Sequence, residues 1–596
     1  MNPSTKATSV VVIGGVAGGA SCAARARRCD ESANIVMLER GPHISFANCG
    51  LPYFIGGEIT DRDKLLVQTP QRFGKRFRVD VRTQHEVMFI DRRNKTLEVL
   101  DLQANSTYIQ PYDKLVLSPG AEPVRPPLPG IDDPRVMSLR TVEDAERIRD
   151  FVQANEPDAA VVVGGGFIGL EMLENLTHLD IQTTLIEMAD QVMLSLDGEM
   201  AEWIHQHLRL RGVQLMLGEA VSRFDPTGEG RLAVSTSSSK TIECDLVVSA
   251  IGVKPEVKLA AEAGLTIGSR GGIAVNKHLQ TTDLDIYAIG DAIETPHRIL
   301  DQRGLIPLAG LANKQGRMAA DHIFGKPVSY GGALGTSIVR VFDLSVASTG
   351  ANEKSLKAKA IAYQKSYTHP ASHAGYYPGA APMVLKLLFD PQSGRILGAQ
   401  IVGIDGVDKR IDVLSTAIHT GLTVEQLTEL ELAYAPQYGT GKDAVNIAGY
   451  VASNIFQGDV DVFHADDFDR RMQGGAVLVD VRTAGEFRRG HIEGAINIPI
   501  DEIRDRMSEI PKDKTILLYC LTGVRSYFVY RILAQLGYRA VNFSGGYTVF
   551  CAAHPSRCKG IPGLHRWDRA LAMETFCSTP AERKLLADRN TNRNLQ

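Results

Sequence analysis

No stretch of this 596-residue chain approaches the roughly 20 consecutive apolar residues that a membrane-spanning helix requires. Its opening, Met1–Ser9, is short and polar and lacks the apolar core of a signal peptide. Both absences predict a soluble, cytoplasmic protein without a membrane partner. Cysteine is scarce, with eight residues and no CxxC pair, which excludes a disulfide-built secreted scaffold. Cys22, Cys29 and Cys244 fall inside helix or strand patterns and read as buried, inert thiols. Cys551, Cys558 and Cys577 fit none of the common zinc spacings, so no metal is expected. An excess of either charge is missing too: 65 Lys and Arg face 69 Asp and Glu, a net charge of −4. A nucleic-acid partner therefore has no bulk electrostatic support. The chain also exceeds the roughly 250–300 residues at which a single core stops growing, so several domains are required.

Glycine, by contrast, is plentiful, and many of the 56 residues fall in nucleotide-type turns. An apolar strand, Ser9–Ile13, is followed by Gly14-Gly15-Val16-Ala17-Gly18-Gly19, a small-residue helix, and a strand ending at Glu39. Val16 stands where the strict GxGxxG pattern has its middle glycine. The same βαβ arrangement recurs at Ala159–Val163, where Gly164, Gly166 and Gly169 complete the pattern and the next strand ends at Glu187. Such a turn brings backbone close to a pyrophosphate at a helix N-terminus. The acid at the end of the second strand can accept hydrogen bonds from a ribose diol. Glu187 would repel a 2′-phosphate, which favours NADH, with NADPH possible. The segment Tyr287–Asp291 reads as a strand returning to the first nucleotide domain, with Asp291 placed to meet a ribityl chain or phosphate. Two dinucleotide sites in one chain fit a flavin and a nicotinamide.

These signals predict an α/β chain with a discontinuous first dinucleotide domain over 1–120 and 246–330. A second dinucleotide domain spans 121–245, and an α+β region spans 331–455. A small α/β unit follows over 460–553, with a tail over 554–596 whose last residues are a helix followed by disorder.

Two cysteines stand apart by their neighbours. Cys49 lies in Ser45-Phe46-Ala47-Asn48-Cys49-Gly50-Leu51-Pro52-Tyr53, shortly after the first βαβ unit. A thiolate there is a nucleophile toward a disulfide sulfur. With no second cysteine nearby, its oxidised state must be a mixed disulfide with a small thiol or a sulfenic acid. Cys520 follows the buried-type strand Ile516–Tyr519 and opens the loop Cys520-Leu521-Thr522-Gly523-Val524-Arg525 onto a helix. Backbone N–H groups in such a loop can cradle an anion such as a persulfide.

These motifs together resemble the two-dinucleotide-binding disulfide reductases over roughly Ser9–Ser453. Within them the chain is similar to coenzyme A-disulfide reductases and NADH-dependent persulfide reductases. Val477–Arg482, Gly490–Pro499 and the Cys520 loop resemble a rhodanese domain over roughly Val462–Phe550. The resemblance implies two Rossmann-like domains, an α+β dimerisation domain and a C-terminal rhodanese-like α/β domain. It implies FAD at Gly14, Gly15, Ala17, Gly18, Glu39, Arg40, Gly120 and Asp291, and NADH at Gly164, Gly166, Gly169 and Glu187. Cys49 would be the redox cysteine. Coenzyme A would lie at Arg25, Arg28, Ser45 and Asn48, with Lys75 and Arg76 as further basic candidates. Tyr376 and Tyr434 match segments that deliver catalytic tyrosines to a partner subunit, which implies a homodimer. Cys520 would carry sulfane sulfur, with Asp480 and Arg482 bracing its loop. An NADH oxidase or peroxidase cycling through Cys49 sulfenic acid, and a persulfide or redox sensor, are the alternative readings.

Overall fold

The computed structural model describes residues 7–228, 230–562 and 564. The expected helix and disorder at the end of the tail lie outside these residues, as does Cys577. The chain divides into two compact units, residues 1–190 with 214–335, and residues 191–213 with 336–596.

The first unit contains two parallel five-stranded sheets of the same design. In one, Ser9–Ile13 is central, between Asn34–Glu39 and Lys114–Leu117, with Ile286–Ala288 and Asp80–Thr83 at the edges. In the other, Ala159–Val163 is central, between Gln182–Glu187 and Leu246–Ser249. Val10, Val11, Val12, Val161 and Val162 are fully buried, as expected of parallel strands covered on both faces. In each sheet the strands beside the central one run to opposite sides, which opens a crevice at its C-terminal end. Both glycine turns sit there. The strand Ile286–Ala288 does return to the first sheet. The expected boundary at 245/246 is corrected, because Leu246–Ser249 is fully embedded in the second sheet as a parallel neighbour of Ala160–Val163.

Two sheets build the second unit. Five antiparallel strands run in the order Ser337–Val341, Leu344–Gly350, Ile396–Gly403, Met383–Phe389 and Gln364–Thr368. Met383–Phe389 and Ile396–Gly403 are buried along their whole lengths, so both faces of this sheet are covered. The helix Val407–Thr420 packs against Leu344–Gly350 and Ile396–Gly403. Residues 191–213, expected in the second dinucleotide domain, pack in this unit. Lys386, with no side-chain exposure, ties them in by ion pairs to Asp197 at 2.7 Å and Glu199 at 2.5 Å, and it also pairs with Glu353. The other sheet is parallel, in the order Val462–Phe463, Arg539–Phe543, Thr515–Tyr519, Val477–Asp480 and Ile496–Asn497. Its core is aromatic, with Phe463, Phe543 and Phe550 in contact. No helix among the described residues is long and apolar enough to cross a membrane.

Candidate active sites

The two glycine turns are built alike. The Glu39 carboxylate accepts hydrogen bonds from the Gly15 and Gly41 amides, both at 2.8 Å. The Glu187 carboxylate accepts from the Gly165 amide at 2.6 Å and the Ala189 amide at 2.8 Å. Each acid thus joins the end of one strand to the turn after its neighbour. Burial pushes the Glu39 pKa up, against the lowering effect of its two amide bonds. A Cβ at Gly166 would meet nothing within 4 Å, so the second turn has the open space a pyrophosphate needs. The partner of Gly169 in the first turn is Gly19, which the expected set of binding residues omits. A Cβ on either would strike the carbonyl of the first glycine of its turn, Gly14 or Gly164. Gly120 takes a positive φ of 81°. Asp291 follows Gly290, and burial raises its pKa. Arg40 is half exposed and pairs with Glu256 at 3.2 Å. Sequence reasoning missed Arg140, which donates to the Pro119 carbonyl at 3.2 Å and whose charge lowers the pKa of both Glu39 and Asp291. No motif marks it, because it sits on a connection rather than on a glycine turn.

Cys49 occupies a single 3-10 turn, Asn48–Gly50, that runs directly into the helix Leu51–Ile55 with Pro52 in its first turn. The Asn48 side-chain oxygen accepts from the Cys49 amide at 3.1 Å, fixing the cysteine at the start of the helix. The residue is exposed, yet desolvation raises its pKa, and the charges of Glu171 and Asp291 raise it further. The chain alone therefore disfavours the thiolate. Glu171, also absent from the expected set, has its pKa pushed up to about 7 by burial, with the Tyr53 hydroxyl as a weak donor at 3.4 Å.

A groove of about 350 Å³ has Ser45, four residues before Cys49, on its wall, with Arg28, Ser21, Gln68, Asn313 and Arg317. Phe73 and Phe77, one turn apart on the helix Pro70–Phe77, supply an aromatic side. Of the expected coenzyme A residues, Arg28 and Ser45 line this groove. Arg25 does not, because Asp321 holds its guanidinium at 2.7–2.8 Å. Lys75 and Arg76 are exposed and do not line the groove. Asn313 and Arg317, one helical turn apart, supply the second polar wall. Their spacing in sequence was visible, but nothing in it pointed to the first helix.

In the second unit the Tyr376 and Tyr434 hydroxyls share a hydrogen bond of 2.9 Å, and both rings are exposed. That bond raises the Tyr376 pKa. Buried Arg410 donates to the Ser372 carbonyl at 2.9 Å, just before the Tyr376 segment, and to Asp443 at 2.8 Å, the cap of the helix Ala444–Phe456.

Cys520 stands at the end of the strand Thr515–Tyr519, is 1% exposed, and accepts a hydrogen bond on sulfur from the Gly523 amide at 3.1 Å. Gly523 needs a φ of 96° to turn that amide inward. Leu521, Thr522 and Val524 complete the loop, and Arg525 is held by both oxygens of Glu486 at 2.7 and 2.8 Å. Asp480 and Arg482 form a buried pair behind the loop, with Arg482 donating to the Gly490 carbonyl and covering the Tyr547 ring. From below, the Tyr547 amide donates to the Cys520 carbonyl at 2.8 Å, and the Thr548 amide to the Leu521 carbonyl at 3.0 Å.

Cys22 and Cys244 are buried, and burial pushes each thiol up to about 12. Cys29 is partly exposed and donates to Asp321 at 3.4 Å. Cys551 and Cys558, which the sequence reading leaves unpaired, form a disulfide.

Comparison with known proteins agrees with this geometry. The pyridine nucleotide-disulphide oxidoreductase family matches residues 8–316. The chain belongs to that family. Its dimerisation domain matches residues 336–444, and a rhodanese-like domain matches residues 464–553. Coenzyme A disulfide reductase of Staphylococcus aureus strain JH9 is 37% identical over 444 residues, 74% of this chain and 99% of that protein. Reduced Bacillus anthracis CoADR-RHD superposes with a TM-score of 0.91 at 48% identity, covering 93% of this chain and 99% of the other. A NAD-dependent persulfide reductase from A. fulgidus gives a TM-score of 0.85 at 38% identity, covering 91% and 100%. This pyridine nucleotide-disulphide oxidoreductase is an enzyme, and its family works with FAD and NAD(H).

Proposed function

We propose that the chain is an FAD-dependent NADH reductase of coenzyme A persulfide, polysulfide or coenzyme A disulfide, working through Cys49, with Cys520 supplying sulfane sulfur. The observation that carries this reading is the groove. Its wall includes Ser45, four residues before Cys49, and it brings two arginines and two phenylalanines to a nucleotide-sized space. A phosphate-bearing thiol with an aromatic base matches that chemistry. An oxidase or peroxidase that cycles through sulfenic acid has no use for such a groove.

In this mechanism the Cys49 thiolate attacks the inner sulfur of coenzyme A persulfide. A mixed disulfide with coenzyme A forms and hydrosulfide leaves. With coenzyme A disulfide, coenzyme A thiolate leaves instead. The Gly14 turn, Glu39, Gly120 and Asp291 would hold FAD, and the Gly164 turn and Glu187 would hold NADH; bound there, the two would supply the electron pair that splits the mixed disulfide. One proton is taken up, coenzyme A thiol departs and the Cys49 thiolate is restored. Glu187 sets the preference for NADH, since a 2′-phosphate would meet its carboxylate. Arg28 and Arg317 bind the substrate phosphates, and Ser45 and Asn48 shape the turn beneath the reacting sulfur. Tyr376 and Tyr434, from the second copy in a homodimer, donate a proton or hydrogen bond to the leaving sulfur. Cys520 holds sulfane sulfur as a persulfide cradled by the Gly523 amide and passes it to coenzyme A thiol. Covalent fusion raises the effective concentration of the two steps. A cytoplasmic location, where thiols stay reduced, fits this reading.

The test is anaerobic NADH oxidation by wild type, Cys49→Ser and Cys520→Ser, with each sulfur substrate in turn. Cys49→Ser loses every reduction. Cys520→Ser keeps coenzyme A disulfide reduction and loses transfer from sulfane donors. Full coenzyme A disulfide turnover in Cys49→Ser overturns the mechanism.

A further inference from the structure

We propose that Cys551 and Cys558 form a second redox site, a thiol–disulfide pair that sulfane sulfur oxidises and a small thiol reduces, and that its state sets the Cys520 loop. The inference rests on the reading of Cys520 as a sulfur carrier. Cys551 is fully buried on the helix Gly546–Ala553. The same helix carries Tyr547 and Thr548, whose amides hold the Cys520 and Leu521 carbonyls. Cys551 thus stands one turn along the brace that fixes the sulfur-carrying loop. Cys558 is partly exposed and follows the short turn Pro555–Arg557.

The segment joining the two cysteines is anchored by bonds other than the disulfide. The His554 amide donates to the Phe550 carbonyl at 2.8 Å. The His554 ring lies 3.2 Å from the Ala465 carbonyl. Arg557 grips both oxygens of Asp469 at 2.8 Å. Reduced, the two thiols therefore stay presented to each other, with Cα atoms 5.4 Å apart in the disulfide form, within the span a bridge needs. Disulfides in a reducing compartment are mostly transient, catalytic or sensing.

The chemistry divides by exposure. Cys558, the more exposed of the two, attacks the outer sulfur of a persulfide, RS–SH. Its own persulfide forms and the thiol RSH departs after taking up a proton. Cys551 then attacks the inner sulfur of the Cys558 persulfide, closing the disulfide and expelling hydrosulfide. The sum is two protein thiols and one persulfide giving one disulfide, one thiol and hydrogen sulfide. Two equivalents of a small thiol reverse the oxidation and leave as their own disulfide. Where that thiol is coenzyme A, the product is a substrate proposed for Cys49.

The experiment uses the intact FAD-loaded enzyme under anaerobic conditions. It is reduced with a thiol, desalted, exposed to inorganic polysulfide, alkylated, and read by peptide mass spectrometry at both cysteines. Thiosulfate-to-cyanide sulfur transfer and NADH oxidation with coenzyme A disulfide are measured on the same samples. The expected result is a closed Cys551–Cys558 disulfide after polysulfide and a several-fold difference in sulfur transfer between the two states. NADH oxidation should not change. Cys558→Ser should fix sulfur transfer at the reduced-state rate whether or not polysulfide is added. Alkylation of both cysteines after polysulfide, or equal sulfur transfer in the two states, overturns the proposal. Sulfur transfer absent from both states overturns the Cys520 reading, while the mass shift at the pair reports on the redox site by itself.

Discussion

Glu171 and Cys49 come from different dinucleotide-type segments, yet the charge of one raises the pKa of the other. Glu171 itself ionises only near pH 7 because of burial. As pH climbs through that value, its carboxylate makes the Cys49 thiol harder to deprotonate. Glu171→Gln should therefore move the pH midpoint of Cys49 alkylation in apoenzyme downward. The linkage sign is fixed too. A folded-state pKa above the unfolded value for a carboxyl means that stability falls as pH rises from about 4.5 through about 7. Glu171→Gln should flatten that slope in urea titrations. A Cys49 profile unchanged in the variant removes Glu171 from the site.

The groove predicts which arginines matter. Arg28→Ala and Arg317→Ala each remove a cation from its wall, and charge-assisted hydrogen bonds are worth about 1.5–3 kcal/mol. The KM for coenzyme A disulfide should rise about 10- to 100-fold in each, with the KM for NADH unchanged. Lys75→Ala and Arg76→Ala should leave both constants near wild type. Equal effects from all four would mean diffuse charge attraction rather than this groove.

How much of this was legible in the sequence divides along local and long-range lines. The glycine turns, Glu39, Glu187 and the Cys520 loop were readable because strand, turn and helix follow one another within about 30 residues. Their bonds to Gly15, Gly165 and Gly523 are correspondingly short in range. Arg140, Asn313 and Arg317 were not, since each reaches its site from another stretch of chain. Arg25 shows the converse. The family resemblance groups it with Arg28, but Asp321, far along the chain, claims it. The boundary at 245/246 failed for the same reason, because strand pairing with Ala160–Val163 decides it.

Lys386 gives a stability prediction. It carries its charge with no side-chain exposure among Asp197, Glu199 and Glu353. Lys386→Met leaves buried carboxylates without their cation, a change that costs about 3–5 kcal/mol. The midpoint for the second unit in thermal or urea unfolding should drop accordingly. Glu199 and Glu353 have lowered pKa values, chiefly through the Lys386 charge working against burial. Their contribution is complete above the unfolded carboxyl pKa of about 4.5 and is lost as pH falls below it. Wild type should lose stability steeply there and Lys386→Met much less. Unfolding curves that coincide at neutral pH would show the cluster to be energetically silent.

Glu187 fixes the expected nucleotide preference. Its carboxylate already accepts from Gly165 and Ala189, so it is held in place before any ribose arrives. Glu187→Gln keeps the shape and removes the charge that opposes a 2′-phosphate. The ratio of kcat/KM for NADH over NADPH should fall about 10- to 100-fold. An unchanged ratio would put the discrimination elsewhere.

The tyrosine pair offers the sharpest test of a shared site. Cys49→Ser and a Tyr376→Phe/Tyr434→Phe variant should each be nearly inactive toward coenzyme A disulfide. Mixed in equal amounts and allowed to exchange subunits, half of the dimers carry one copy of each. If tyrosines serve the partner, every such hybrid has one complete site, built from the intact Cys49 of one copy and the intact tyrosines of the other. Activity should then recover to about one quarter of wild type. If the tyrosines instead serve their own copy's Cys49, every site in the hybrid lacks one component and mixing restores nothing. Arg410, which holds the Ser372 carbonyl just before the Tyr376 segment, adds a control. Combining Arg410→Met with Cys49→Ser should lower the recovery, because Tyr376 remains present but its segment is no longer held in position.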